Sequence, residues 1–199
     1  MNDEAPEVVV ADVQAWRAWL AQHVGDRVGV WLVLAKKGTV DPTSLSYEQA
    51  LQEALCQGWI DGQRRARDAT TYRQRFTPRR GRSLWSQRNV GIVEQLMAQG
   101  RMQPGGLAEV ERAQADGRWA AAYAGAAGIE VPADLAAALD AAPTARAMFE
   151  VLSAQNRYAV LYRVTTAQRP QTRARRIKQY VAMLARGETL YPQATRPPL

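Results

Sequence analysis

The residues of this chain best suited to chemistry are the arginines of one short segment. Nine arginines and a single acidic residue, Asp68, lie between Arg64 and Arg88. Like charges repel each other, so such a density is usually kept where an anion, a carboxylate partner or solvent relieves the repulsion. Guanidinium groups bind phosphates and carboxylates through paired hydrogen bonds. The segment therefore suggests an anion-binding site.

Alternation along the segment predicts which of these side chains share a surface. Residues 59–65 and 72–77 are typical of two strands of a hairpin, in which Arg73, Arg75 and Thr77 point to one side. The following loop leads into a helix whose free amides also attract anions. Its tryptophan could stack on a ligand ring or an arginine. The predicted ligand site consists of Arg73, Arg75, Thr77, Arg79, Arg80, Ser83, Trp85 and Asn89.

The arginine-rich segment could also be purely structural. Its arginines could lie in solvent or pair with nearby carboxylates, namely Glu48, Glu53, Asp61 and Glu94. Nucleic acid is a possible partner, but the chain lacks glycine-rich phosphate fingerprints, helix-turn-helix punctuation and paired aromatic RNA motifs. We therefore expect an anionic small molecule or a polyanion as the partner, and we do not favour nucleic acid.

A second set of residues could transfer protons in an enzyme. Glu53 and Cys56 share a helix face, and Asp61 follows in the next turn. A catalytic thiolate needs a positive environment and usually a histidine base, but the only histidine, His23, is distant in sequence. We therefore interpret Cys56 as a buried side chain and keep Glu53 and Asp61 as catalytic candidates for the alternative function. With one cysteine and one histidine, we predict no metal site and no cofactor.

The charge of the whole chain constrains its partners and location. The formal net charge is +7, and residues 64–88 and 157–186 each sum to +8, against −5 for residues 1–63 and −4 for residues 89–156. A single cysteine rules out an intrachain disulfide and fits a reducing cytoplasm. The N-terminus lacks the basic and apolar regions of a secretory signal, and no apolar run is long enough for a membrane helix. We predict a cytoplasmic protein without a membrane span and leave its oligomeric state open.

Local signals predict the elements that carry these side chains. Asp12 is a candidate cap for a helix over 13–23, and the apolar run 28–35 is typical of a buried strand. Ser46 and Gln49 form a capping-box pair before a helix over 47–57. Ser83 or Ser86 would begin the next helix, which ends at Gly100, and the remaining pattern is helical.

These elements predict an α+β fold with a small mixed or antiparallel sheet and helices, followed by a helical C-terminal bundle. Gly117–Pro132 is glycine-containing and nearly uncharged, which is typical of a linker or a mobile loop. The expected divisions are an α+β domain over 1–117, a helical region over 118–187 and a flexible tail over 188–199.

Four stretches of the sequence resemble the bacteriocin-protection family of bacteria, also called YdeI/OmpD-associated. They are EALCQGWIDG at 53–62, RFTPRRGRSLWSQRN at 75–89, GRMQPGGL at 100–107 and RPQTRARRI at 169–177. The resemblance extends over most of the chain, from about 12 to 186. It implies a role in tolerance of peptide toxins or envelope stress and brings no settled reaction or ligand with it.

Overall fold

A computed structural model describes residues 5–197 and confirms the α+β fold. The chain divides into an N-terminal unit, which ends at Ala122, and a C-terminal unit, which begins at Tyr123. The division falls a few residues after the position predicted from the sequence, inside the glycine-containing stretch. The two basic segments therefore belong to different units.

The N-terminal unit contains a four-stranded sheet and four helices. β2 is central and lies parallel to β1 and antiparallel to β4, and β4 pairs in turn with β3. The sheet is therefore mixed, as the sequence allowed. The elements are β1 Glu7–Val8, α1 Val13–Gln22, β2 Val30–Ala35, α2 Tyr47–Cys56, β3 Trp59–Ala66, β4 Thr71–Pro78, α3 Gln87–Ala98 and α4 Pro104–Ala115.

Side-chain caps fix the starts of three of these helices. Asp12 Oδ1 accepts the Ala15 amide at 2.9 Å, and Ser46 forms the predicted capping box with Gln49. Of the two serines proposed to begin α3, Ser86 is the cap, and its hydroxyl accepts the Asn89 amide at 3.1 Å. Each cap satisfies an amide that has no partner within the helix.

The strands alternate between the hydrophobic core and an outer face, as the sequence predicted for β4. Tyr72 and Phe76 point into the core, where Phe76 packs beside Trp16 with ring centroids 5.7 Å apart. Arg73 and Arg75 point to the outer face, which makes this strand the boundary between the two environments.

A β-bulge in the hairpin changes the alternation of β3. Asp61 pairs with Phe76 but Arg64 pairs with Gln74, so two residues of β3, Gly62 and Gln63, oppose one residue of β4. The extra residue places Arg64 on the side of Gln74 and leaves the next arginine for the outer face.

The C-terminal unit is helical, as expected. It consists of α5 Ala133–Asp140, α6 Pro143–Glu150, α7 Ala154–Thr165 and α8 Pro170–Ala185. Pro143 and Pro170 occupy the first turns of their helices, whereas Pro132 is the N-cap of α5. A second core, formed by side chains such as Leu135, Phe149 and Leu184, holds the four helices together.

The segment after α8 makes specific contacts with α7. Asn156 accepts the Tyr191 amide at 2.8 Å and donates to Gln193 Oε1 at 3.0 Å. The flexibility of 188–199 remains a prediction, and residues 198 and 199 lie outside the described part. Within residues 5–197, no helix combines the length and the apolar character that a membrane crossing requires.

Candidate functional site

Three arginines surround one tryptophan on the outer face of the sheet. The guanidinium carbons of Arg65, Arg73 and Arg75 lie 4.5, 5.9 and 5.8 Å from the centre of the Trp31 ring. Trp31 is directly opposite Arg75 in the sheet and is only 4% exposed. We call Trp31, Arg65, Arg73, Arg75 and Thr77 the arginine face.

One carboxylate of the described chain, that of Glu7, lies beside the arginine face. Glu7, on β1, lies 3.5 Å from an Arg73 nitrogen and 3.1 Å from Arg67 Nε. Arg75 Nη1 is buried and donates to no atom of the described residues, and burial lowers the pKa of Arg75 from its usual value. A buried cationic donor without an acceptor is costly, so this nitrogen is an unsatisfied group of the arginine face.

The loop that follows β4 contributes a separate, more exposed group. Arg80 and Arg82 are exposed, and the Ser83 hydroxyl accepts the Arg80 amide at 3.0 Å. The Ser83 carbonyl accepts a hydrogen bond of 2.8 Å from Arg118. Ser83 therefore stabilises the turn through both of these oxygen atoms.

Three residues of the predicted ligand site are buried. Arg79 is 6% exposed, and its guanidinium lies 3.4 Å from the centre of the Trp85 ring. Trp85 is 2% exposed and also packs on Trp119, at 4.8 Å between ring centroids. Asn89 is buried on α3. Arg79 and Trp119 both pack on the Trp85 ring, so this cluster stabilises the loop through buried contacts.

We expect Arg79→Ala to destabilise the N-terminal unit by about 2 kcal/mol, because it removes a buried stacking partner and leaves a cavity beside Trp85. Arg79 Nη1 also donates to the Leu84 carbonyl at 3.2 Å. The measurement is urea denaturation followed by tryptophan fluorescence. Arg80→Ala, at the exposed neighbouring position, is the matched control and should change the free energy of unfolding by less than about 0.5 kcal/mol. Equal effects would contradict a structural role for Arg79.

The first catalytic candidate, Glu53, is a buried carboxylate held by two arginines. Its oxygens accept hydrogen bonds of 2.8 Å from Arg17 Nε and Nη2 and of 2.6 Å from Arg101 Nη2. Burial raises the pKa of Glu53, but the hydrogen bonds and charges of the two arginines outweigh it and lower the pKa overall. These partners lie outside the segment Arg64–Arg88.

Cys56 is buried beside the same carboxylate, as the sequence predicted. Burial and the charge of Glu53 raise the pKa of the thiol to about 11. The protonated thiol is a poor nucleophile. His23 instead stacks on Trp19, with ring centroids 3.7 Å apart.

The second catalytic candidate, Asp61, lies in a different cavity from Glu53. Asp61 lines a polar cleft of about 680 Å³, whereas Glu53 and Cys56 line a cavity of about 410 Å³. Asp61 Oδ2 accepts a 2.8 Å hydrogen bond from the Tyr47 hydroxyl. Separate cavities do not favour a mechanism in which the two carboxylates act on one substrate.

The sequence did not indicate several residues of these sites. Trp31 comes within reach of the arginines only through the pairing of β2 with β4, and Arg65 does so only because of the bulge. Gly62 was the available signal for that bulge, because glycine inside a strand often marks one. Tyr47 had no comparable signal in the sequence.

Three of the motifs that carry the family resemblance meet at the end of α2. The Cys56 carbonyl accepts the Gln103 amide at 3.0 Å, and the Gly58 carbonyl accepts the Arg79 amide at 2.9 Å. An added Cβ on Gly106 would lie 2.2 Å from the Cys56 oxygen. These motifs therefore build a close junction of backbones that positions the hairpin and the loop.

Comparisons with known families match the N-terminal and C-terminal parts of the chain to two different family models. The family model described as Domain of unknown function (DUF8412) matches residues 8–109, about half of the chain, and contains three of the four resembling stretches. The model described as Bacteriocin-protection, YdeI or OmpD-Associated matches residues 128–187 and contains the fourth. The second match confirms the resemblance over residues 128–187. Neither curated proteins nor solved structures gave a match.

Proposed function

This chain belongs to the DUF8412 family, and its C-terminal segment matches the bacteriocin-protection family. From this premise we propose that it is a bacterial stress- or toxin-protection protein that binds an anionic ligand. The protection role rests on the description of the second family. The binding site we propose is the arginine face, and the proposed location is the cytoplasm.

One observation carries the anion-binding proposal: Arg75 Nη1 is buried without an acceptor among the described residues, beside Arg73 and against Trp31. Trp31 fixes the guanidinium groups in place, which reduces the entropy lost when they bind a ligand. Because guanidinium groups are planar and carry several donors, two neighbouring arginines suit a phosphate or a carboxylate. A ligand here would supply the missing acceptor.

In the alternative hypothesis, the arginines have a purely structural role and only shield Trp31 from water. Their apolar stems do shield this ring from water, and an arginine can stabilise a protein through such packing alone. The two roles differ in their response to anions. If the arginines only shield Trp31, the free energy of unfolding is the same with and without an anion. If they form a binding site, the free energy of unfolding increases with the anion concentration.

We expect pyrophosphate to stabilise the wild-type N-terminal unit and Arg75→Ala to weaken this binding about tenfold, because one of two neighbouring guanidinium groups is lost. Inorganic phosphate and a DNA duplex of mixed sequence serve as the small and the polymeric probes. The measurement is the urea midpoint, followed by tryptophan fluorescence, as a function of probe concentration.

The matched control is Arg82→Ala, which removes the same charge from an exposed position in the neighbouring loop. It should change the pyrophosphate affinity less than about twofold. Equal weakening by both variants would mean that the ion responds to overall charge, and no stabilisation of the wild type would reject the proposal. Binding of DNA alone, with a steep dependence on salt, would favour the nucleic-acid hypothesis instead.

A further inference from the structure

The polar cleft beside Asp61 is independent of the arginine face. Its walls come from the end of β2 and the loop after it, the first turn of α2, and the hairpin side chains that alternate with those of the arginine face. Its volume, about 680 Å³, is within the range of sites for small molecules. Nothing in the proposed function uses it.

One side of this cleft is cationic. The guanidinium carbon of Arg64 lies 4.0 Å from the centre of the Tyr72 ring, which holds the group in place. Lys36 Nζ is occupied by the carbonyls of Asp68 and Ala69, at 2.7 and 3.2 Å. Lys37, in contrast, is exposed and has no polar contact with the described residues. Arg64 and Lys37 are thus the groups available to an anion.

The other side presents hydrogen-bond acceptors held in position. Arg88 donates to the Tyr47 hydroxyl at 3.3 Å, and this hydroxyl donates to Asp61 Oδ2 at 2.8 Å. Burial and then the charge of Asp61 raise the pKa of Tyr47 to about 12, so the hydroxyl stays protonated. Asp61 forms no ion pair within residues 5–197, which leaves its remaining lone pairs for the cleft.

The bulge explains why both kinds of group meet here. Because Gly62 and Gln63 together oppose a single residue of β4, Asp61 and Arg64 fall on the same side of the hairpin although they are three positions apart. Regular alternation would have placed them on opposite sides. Bulges are frequent next to binding sites for this reason.

We propose that this cleft binds a small anion that also carries hydroxyl groups, the chemistry of a sugar phosphate. Lys37 and Arg64 would hold the anionic group, and Asp61 would accept hydrogen bonds from the hydroxyl groups. Ser44, Ser46 and Thr39 line the same cleft, but each already donates its hydroxyl hydrogen to the protein, so their oxygens can only accept from a ligand. A ligand without hydroxyl groups would leave Asp61 with the Tyr47 hydroxyl as its hydrogen-bond partner and its other lone pairs unused by the ligand.

Calorimetric titration of the full chain with glucose 6-phosphate, glucose and inorganic phosphate tests this proposal. We expect glucose 6-phosphate to bind about tenfold more tightly than either of the other two. Asp61→Asn should lower the affinity for glucose 6-phosphate relative to that for phosphate, because loss of the negative charge favours both anions while only the sugar loses a carboxylate acceptor. Lys37→Ala should weaken the binding of both. No binding of glucose 6-phosphate, equal affinities for phosphate and glucose 6-phosphate, or an unchanged ratio of the two affinities in Asp61→Asn would overturn the proposal.

Two further variants separate this site from the arginine face. Arg82→Ala, which removes an exposed charge elsewhere, should leave the affinity for glucose 6-phosphate unchanged. Arg75→Ala should also leave it unchanged, because Arg75 points to the opposite side of the hairpin. Loss of glucose 6-phosphate binding in Arg75→Ala would place the ligand at the arginine face and reject the cleft. Failure of pyrophosphate to bind would reject the arginine face as an anion site but would not bear on the binding of glucose 6-phosphate in the cleft.

Discussion

Gly106→Ala is expected to destabilise the N-terminal unit by about 3 kcal/mol or more. Gly106 lies on α4 at the point where this helix contacts the end of α2. An added Cβ would lie 2.2 Å from the Cys56 oxygen and 2.8 Å from the Cys56 carbonyl carbon. Both are backbone atoms, so relief requires the two helices to separate. Separation would in turn stretch the 3.0 Å hydrogen bond from the Gln103 amide to the same oxygen.

Urea denaturation followed by tryptophan fluorescence measures this effect without interference from the rest of the chain. All six tryptophans lie in the N-terminal unit, so the signal reports on that unit alone. Gly91→Ala is the matched control, since Gly91 lies inside α3 with no atom within 4 Å of an added Cβ. It should stabilise the unit by about 0.5–1 kcal/mol. A Gly106→Ala protein as stable as Gly91→Ala would show that the junction is not tight.

The elements of this fold could be predicted where the signals were local. The capping box at Ser46 and the alternation from Tyr72 to Thr77 depend on residues a few positions apart, and the structure confirms both. The bulge could not be placed, because only the register between β3 and β4 shows which residue is extra. One inserted residue exchanges the sides of all later side chains, so the sides of Arg64 and Arg65 do not follow from local alternation.

The candidate site was predictable in part for the same reason. Arg73 and Arg75 share a face because they alternate along one strand, which the sequence shows directly. Their neighbour Trp31 comes from a strand about forty residues earlier, and no local pattern indicates that pairing. Trp85 was expected near the ligand because it lies in a polar loop, but it is buried against Arg79 of the same loop and against Trp119, which is distant in sequence.

The hairpin connects the two proposed sites physically. Its two sides carry arginines in different settings: Arg75 against Trp31 on one side and Arg64 against Tyr72 on the other. In both settings an aromatic ring holds the guanidinium group, which limits its rotamers before any ligand arrives. The arginine-rich segment is therefore better described as two separately oriented sets of donors than as one uniform basic surface.

Glu53→Gln is expected to destabilise the N-terminal unit by about 3 kcal/mol at neutral pH, because it removes the charge that two arginines surround. The side chain of Glu53 is 4% exposed, whereas those of Arg17 and Arg101 are 58% and 33% exposed. The arginines can turn to solvent in the variant, which limits the loss. The amide keeps the shape of the carboxylate, so the change isolates the charge.

The pH dependence of this effect distinguishes the ion pairs from simple packing. The pKa of Glu53 is lowered in the folded protein, so its contribution is fully present above the unfolded pKa and is lost as the pH falls through the folded pKa. The difference between wild type and Glu53→Gln should therefore shrink in acid. Glu94→Gln, at an exposed position on α3, is the control and should match the wild type at every pH. A difference that stays constant from neutral pH to about pH 3 would mean that packing, not charge, holds this residue.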